Sequence, residues 1–183
     1  MDLLPDPFVD RINEATLKAT PGMTAKSARG ALELMRMARQ AVFVNCWYAG
    51  RFDSPQIWEK YGGVNNSVAI QSSICALRRA LEPASQKVYL SNVSYIDYDS
   101  EPLPLGNAFL SALHKEKQFQ SEREVRALLL EARREQGNFM PGPEGGIDVQ
   151  IDVASLIEDV QVAPGSDEWF HSWVQSVRER RGD

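Results

Sequence analysis

The segment Val42–Trp47 constrains the fold most strongly. Its run VFVNCW is short, rich in β-branched and aromatic residues, and without helical spacing, as is typical of a buried strand. A helical pattern precedes it: Thr24 can cap a helix that starts at Ala25 and runs for about 15 residues, with apolar residues every three or four positions. Ser54 and Pro55 then indicate another helix start. Helices and strands alternating in this way predict an α+β fold.

Similar patterns predict the other elements. The stretch EVRALLLEARRE favours a helix by propensity, but we predict a strand at Val125–Leu130 because the glycine-rich loop at residues 137–146 leads to another strand. Further strands are predicted at Ser67–Gln71, Lys87–Tyr98 (one bent strand or a hairpin), Ile147–Val153 and Asp159–Val162, and helices at residues 55–62, 73–81, 107–117 and 166–183. The expected architecture is a mixed, mostly antiparallel sheet of about five or more strands with flanking helices.

The 183 residues are expected to form a single domain. A helical segment at residues 1–40 would precede a core sheet at residues 41–165, and a C-terminal helix would occupy residues 166–183. The aromatic residues of two helices are expected to pack inward on the sheet. They are Trp58, Tyr61, Trp169, Phe170 and Trp173. In the alternative, the helix at Trp169–Val177 exposes its aromatic face and the chain is a structural partner of a larger toxin or effector.

Composition excludes several classes of protein. An apolar share of 43%, a charged share of 25% and a net charge of −5 disfavour a disordered chain and one that wraps nucleic acid by charge alone. Two cysteines suggest a reducing compartment. With no signal peptide and no apolar run near the roughly 20 residues of a membrane span, a cytoplasmic location and no membrane partner are expected. Neither a metal-ligand spacing nor a GxGxxG, GxxxxGK[ST] or GxSxG motif is present.

Three places carry polar groups on elements that should be rigid. The first is Asn45–Trp47, at the exit of the first strand, with Arg51 just beyond it. The second is Gln71–Ser73, where a strand ends and a helix starts, so that backbone N–H groups and hydroxyls could bind an anion. The third is Glu122–Arg126. We interpret Cys46 as a small buried residue rather than a nucleophile, because no histidine lies near it in the sequence.

Three charged residues of Glu122–Arg126 recur at alternate positions. Glu122, Glu124 and Arg126 would share one face of a strand. Such a row is either a solvated charge ladder or a site, because two carboxylates brought close shift each other's pKa.

A set of motifs resembles a widespread bacterial domain family of unknown function. In that family a strand with serine or asparagine-cysteine leads to a Trp-x-x-Tyr helix, and a Glu-x-Glu-x-Arg motif follows. The motifs that carry the resemblance, over residues 40–165, are Val44-Asn45-Cys46-Trp47, Trp58-Glu59-Lys60-Tyr61, Val68-Ala69-Ile70, Val93-x-Tyr95, Lys117, Glu122-x-Glu124-x-Arg126 and Val162-x-Pro164. This resemblance implies no established activity.

More distantly, the order of elements is similar to that of the ADP-ribosyltransferases. There the resemblance implies that Glu124 is the catalytic carboxylate, with Glu122 as its accessory, and that NAD is the substrate. A fixed carboxylate near the ribose would stabilise the oxocarbenium charge that forms when nicotinamide leaves. The implied NAD-binding residues are Asn45, Trp47, Arg51, Tyr61, Ser72 and Arg126. The implied function is transfer of ADP-ribose to an unknown protein or nucleic-acid acceptor, in a bacterial toxin or phage-defence system.

Two departures from that superfamily leave an alternative. Asn-Cys-Trp is not its Ser-Thr-Ser motif, and its first motif, an arginine or histidine on an early strand, should lie upstream of Asp6-Pro7-Phe8. Either a strand is missing at the N-terminus or the site does not turn over NAD. In the alternative, the same cleft belongs to a non-catalytic module that binds a nucleotide, nucleic acid or protein. The enzymatic interpretation requires that Glu122 and Glu124 face the same cleft as Asn45 and Trp47.

Overall fold

The structure, a computed structural model, describes residues 14–50, 55–62, 65–103, 107–131, 133–135, 138–140, 142–143 and 145–181. The chain divides into two compact units. The first comprises the described residues of Met1–Ala49 and Gln86–Asp148, and the second those of Gly50–Ser85 and Val149–Asp183. Whether the two units fold as one domain stays a prediction.

The described residues form short helices and strands. The helices are α1 (Glu14–Ala19), α2 (Ala25–Arg39), α3 (Pro55–Ile57), α4 (Ile74–Ala80), α5 (Leu110–Leu113), α6 (Val153–Leu156) and α7 (Glu168–Arg181). A π-helical turn at Trp58–Gly62 continues α3, and a 3-10 helix occupies Lys117–Glu122. The strands are β1 (Val42–Tyr48), β2 (Val68–Gln71), β3 (Val88–Asn92), β4 (Ser94–Ile96), β5 (His114–Glu116), β6 (Glu124–Leu130), β7 (Arg133–Glu135), β8 (Asn138–Met140) and β9 (Asp159–Val162).

Helix α2 begins where the sequence predicts it. Thr24 and Ser27 form a capping box, in which the Ser27 N–H donates to Thr24 Oγ1 at 3.2 Å and the Thr24 N–H donates to Ser27 Oγ at 2.8 Å. The helix has the expected 15 residues. This prediction is confirmed.

The largest sheet of the first unit has the order β1-β6-β3 and is antiparallel throughout. Central strand β6 is mostly buried, and Leu128 at its middle is 1% exposed. Leu128 lies opposite Val44 on one side and Tyr89 on the other. The strand that we preferred to a helix at Val125–Leu130 is therefore confirmed.

Two smaller sheets belong to the same unit: β4 pairs with β5 in parallel, and β7 pairs with β8 antiparallel. The helix predicted at residues 107–117 is wrong over much of its length, because only Leu110–Leu113 is α-helical and the next three residues form β5. Pairing with β4 satisfies the backbone of β5 and overrides helix propensity. The segment predicted as one bent strand or a hairpin splits at Val93 into β3 and β4, which lie in different sheets.

The second unit contains the antiparallel pair β2–β9 and helices α3, α4, α6 and α7. Helix α4 is capped by Ser73, whose hydroxyl accepts the Ala76 N–H at 3.2 Å. The strand predicted at Ile147–Val153 is wrong: residues 147–152 have no regular structure, and Asp152 instead caps α6 by accepting the Ala154 N–H at 3.0 Å.

The aromatic helices pack inward only in part. Trp58 is buried, but Tyr61 is 61% exposed because the wider π-helical turn separates it from the face of Trp58. In α7, Val174 is buried and Phe170 is half-buried, whereas Trp169 and Trp173 are exposed. The expectation that these two tryptophans pack on the sheet is therefore wrong.

The mixed α/β class with antiparallel strands is confirmed. The expected sheet of five or more strands is wrong, because the nine strands of the described chain form one sheet of three strands and three sheets of two. Among the described residues no helix combines the length and apolar character needed to cross a membrane.

The burial of β6 predicts how two leucines of this strand differ. We expect Leu128→Ala to lower the free energy of unfolding by about 2–5 kcal/mol, because it leaves a cavity in a fully packed site. Leu130→Ala, at a position that is 36% exposed, is the matched control and should cost less than half as much. Urea denaturation of both variants measures the difference, and equal losses would contradict the packing described for this sheet.

Candidate functional site

Strand pairing determines which side chains meet. In the register of the three-stranded sheet, Cys46 and Ser91 lie opposite Arg126, and Tyr48 lies opposite Glu124. Directly opposed residues of antiparallel strands project from the same face of a sheet. We call the face that carries these five residues the front face.

A tight turn brings a second carboxylate to the front face. The 3-10 helix Lys117–Glu122 ends at Arg123, whose φ of 40° and ψ of 53° are left-handed. Arg123 thus separates the end of the 3-10 helix from the start of β6. Glu122 therefore reaches Glu124 from a helix end, and the expected placement of Glu122, Glu124 and Arg126 on a single strand is wrong for Glu122.

Four charged side chains form a compact group, the charge cluster: Lys115, Glu122, Glu124 and Arg126. The Lys115 ammonium donates to Glu122 Oε2 and, at 2.7 Å, to Glu124 Oε1. Arg126 Nε donates to the other oxygen of Glu124 at 2.7 Å, and its Nη1 donates to the carbonyl of Ala112. Each carboxylate oxygen of Glu124 thus has a cationic partner.

The backbone and an aromatic ring hold the cluster in place. The Glu124 N–H donates to the Tyr95 hydroxyl at 2.8 Å, and Tyr95 lies opposite Lys115 in the β4–β5 pair. Lys115 also stands 5.1 Å from the centre of the Phe119 ring, within cation–π range. Residues from β4, β5, β6 and the 3-10 helix therefore fix the four charges.

Hydrogen bonding keeps Glu124 ionised. Burial alone would raise the pKa of Glu124, but its hydrogen bonds, including those from Arg126 and Lys115, outweigh this effect and lower the pKa from 4.5 to about 2. Burial would lower the pKa of Lys115, but its bonds to the two carboxylates prevail and raise it. At neutral pH Glu124 is a fixed anion and not a proton donor.

Cys46 borders the charge cluster without the character of a nucleophile. The residue is exposed, yet desolvation of its thiol raises the pKa; the charge of Arg126 opposes this effect, and the charge and hydrogen bond of Glu124 add to it. A neutral thiol is a poor nucleophile. The sequence interpretation of Cys46 as non-nucleophilic agrees with this chemistry, although its burial was wrongly predicted.

Asn45 and Trp47 lie on the opposite, back face of the sheet. They pair with Ala127 and Val125, which alternate with the front-face residues along β6. The Trp47 Nε1 is buried and has no hydrogen-bond partner among the described residues. Asn45 and Trp47 therefore do not face the carboxylates, and the geometric requirement of the enzymatic interpretation is not met by these two residues.

The other predicted site residues lie outside the described residues or in the second unit. Arg51 lies outside the described residues. Tyr61 and Ser72 belong to the second unit, where Tyr61 is exposed and the Ser72 hydroxyl donates to the Leu156 carbonyl at 2.6 Å. Of the predicted residues, the structure brings together Glu122, Glu124 and Arg126.

Sequence reasoning missed Lys115 as a site residue. The resemblance pointed to Lys117, which is exposed, and the predicted helix placed Lys115 on no particular face. Tyr95 belongs to the Val93-x-Tyr95 motif of the resemblance, which implied no site role for it. A pairing of Ser94–Ile96 with His114–Glu116 would have revealed both, because it sets Tyr95 opposite Lys115.

Comparison with protein families, with curated proteins and with solved structures gave no match. Within the described residues, no group of three or more histidine, cysteine, aspartate or glutamate side chains could hold a metal ion. The chemistry of the site must therefore be inferred from the charge cluster itself.

The lowered pKa of Glu124 predicts a pH dependence of stability. A carboxyl with a lower pKa in the folded state stabilises the protein fully above its unfolded pKa, and this contribution is lost as the pH falls toward the folded pKa. We expect Glu124→Gln to reduce the free energy of unfolding by on the order of 3 kcal/mol at pH 7, and the difference from wild type to shrink between about pH 5 and pH 2.

Urea denaturation at a series of pH values measures this difference. Glu82→Gln removes a carboxylate from an exposed position outside the cluster; it is the control and should change the free energy of unfolding by about 0.5 kcal/mol or less. A constant difference between wild type and Glu124→Gln from neutral to acidic pH would show that Glu124 does not titrate in the way that the ion pairs require.

Proposed function

We propose that the protein is a non-catalytic binding module that takes up a nucleotide through its phosphates at the front face. One observation carries the proposal: the carboxylates of the charge cluster are innermost and the cations outermost. The side chains of Glu122 and Glu124 are 5% and 6% exposed, whereas those of Arg126 and Lys115 are 14% and 23% exposed. A ligand that approaches from solvent would meet the cations first, as phosphate recognition requires.

Both cations retain donors for such a ligand. A lysine ammonium has three N–H groups and Lys115 directs two of them to carboxylates, while Arg126 uses three of the five donors of a guanidinium, for Glu124, the Ala112 carbonyl and the Cys46 sulfur. The carboxylates also hold the cations in place, so that binding would cost little side-chain entropy. Since the whole chain carries a net charge of −5, a small phosphate ligand suits this local site better than a nucleic acid.

The second candidate is the ADP-ribosyltransferase-like activity that the sequence resemblance implies. The observation in its favour is Glu124 itself, a buried carboxylate with a pKa of about 2 that could stabilise an oxocarbenium ion. In this case NAD would have to reach Glu124 from the side of Cys46 rather than of Asn45 and Trp47. Transfer of ADP-ribose to a protein or nucleic acid, in a toxin or phage-defence system, would require NAD to reach Glu124 from this side. We place it second because Glu124 is almost fully buried.

Matched variants distinguish a phosphate site from a catalytic one. We expect ATP, ADP-ribose or NAD to bind with an affinity that falls as salt rises, and Lys115→Gln to weaken binding by about tenfold or more. Lys117→Gln removes the same charge from an exposed position two residues away and should leave binding unchanged. Glu124→Gln should weaken binding less than Lys115→Gln does, because it removes an anion that lies 2.7 Å from each cation but also a contact that holds both cations in place. Isothermal titration calorimetry measures all four proteins.

The opposite pattern would favour the transferase. Release of nicotinamide from NAD by wild type, abolished in a folded Glu124→Gln variant, would replace the binding proposal with the catalytic one. If none of the three nucleotides binds wild type at about 1 mM, the proposed phosphate site does not exist.

A further inference from the structure

Helix α7 presents an apolar stripe that its own unit leaves open. Trp169, Trp173 and Val177 follow one another at intervals of four residues and therefore lie on one side of the helix. They are 62%, 58% and 38% exposed. The other side already has partners in the second unit: Val174 is buried, and Arg178 Nη2 lies 2.6 Å from Asp159 Oδ1 at the start of β9.

Opposite charges flank this stripe at its two ends. At the N-terminal end, the Asp167 carboxylate accepts the Trp169 indole N–H at 3.1 Å and the Asn66 amide at 3.0 Å, both neutral donors that leave its charge in place. At the C-terminal end, exposed Arg180 follows Trp169 by about three helical turns and so lies on the same side. Trp169 and Arg180 are therefore roughly 16 Å apart along the axis.

We propose that α7 pairs with α7 of a second copy of this chain in an antiparallel, two-fold symmetric contact. Antiparallel pairing places Arg180 of each copy beside Asp167 and the Trp169 ring of the other, which joins an ion pair to a cation–π contact. Trp173 lies close to the midpoint between Trp169 and Arg180, and therefore near the two-fold axis. Parallel pairing would instead set like charges together and align the helix dipoles.

The size of the stripe sets the strength of this dimer. From their exposed fractions, the two tryptophans and the valine offer about 300 Å² of apolar surface, as much as the largest patch on a typical monomer. A standard interface buries about 800 Å² on each partner, so the stripe can form the centre of an interface but not all of it. We therefore expect a reversible dimer with a micromolar dissociation constant. This inference is independent of the front face, because no residue of the charge cluster takes part.

Sedimentation equilibrium of the full chain tests the proposal. We expect wild type to dimerise below about 100 µM and Trp173→Glu to weaken dimerisation by about tenfold or more. Leu34→Glu is the matched control, because Leu34 is as exposed as Trp169 but lies on α2. It should dimerise like wild type. Thermal unfolding of each variant in the monomeric range confirms that the fold is kept.

A charge exchange tests the orientation. Arg180→Asp and Asp167→Arg should each weaken self-association by a few-fold, whereas an equimolar mixture should form a heterodimer at near wild-type strength, because both ion pairs are restored. Wild type that stays monomeric at about 100 µM would overturn the proposal, and so would dimerisation that Trp173→Glu does not weaken. Repulsion that the mixture fails to relieve would overturn the antiparallel orientation.

Discussion

The two ion pairs of Glu124 are the interaction on which the first unit depends. The Glu124 carboxylate pairs with Lys115 of β5 and with Arg126 of β6. The backbone N–H of Glu124 donates to the Tyr95 hydroxyl of β4, and Arg126 also donates to the Ala112 carbonyl of α5. The small parallel pair β4–β5 is thereby tied to the three-stranded sheet. A register slip of one residue would turn Glu124 to the opposite face, away from Lys115. The ion pairs therefore help to specify one register among those that apolar contacts would permit.

Local signals predicted the elements whose caps or apolar pattern can be recognised within a few residues. Thr24 caps α2, Ser73 caps α4, and the apolar run of β1 forms a strand, because caps and periodicity act within a few residues. Predictions failed where a distant partner decides. Residues 114–116 leave the helix that their neighbours favour because β4 pairs with them, and residues 147–152 lack a strand partner in the described chain. Such choices are tertiary and leave no mark on local composition.

In the candidate site, too, the sequence pattern identified the charged residues, whereas strand pairing determined which residues face them. The sequence indicated Glu122, Glu124 and Arg126, because carboxylates and an arginine at short spacing are visible as residues. It could not decide which alternate residues of β1 face them, since a strand offers either face until its register is known. The pairing selects Cys46 and rejects Asn45 and Trp47. The order of motifs in the chain therefore does not define the cleft.

A buried charge cluster stabilises a sheet inefficiently, because the desolvation of the charges offsets much of their attraction. Apolar side chains of similar volume often replace buried ion pairs at no cost or with a gain in stability, because they avoid the desolvation of each charge. Four charges at the end of a sheet whose middle already packs Leu128 and Leu129 therefore require another explanation. Placing two carboxylates beneath two cations gives the cations fixed positions and leaves each cation with further donors, as the proposed phosphate site needs. Together with the register that its ion pairs help to specify, this arrangement supports the proposal that the charge cluster binds a phosphate ligand.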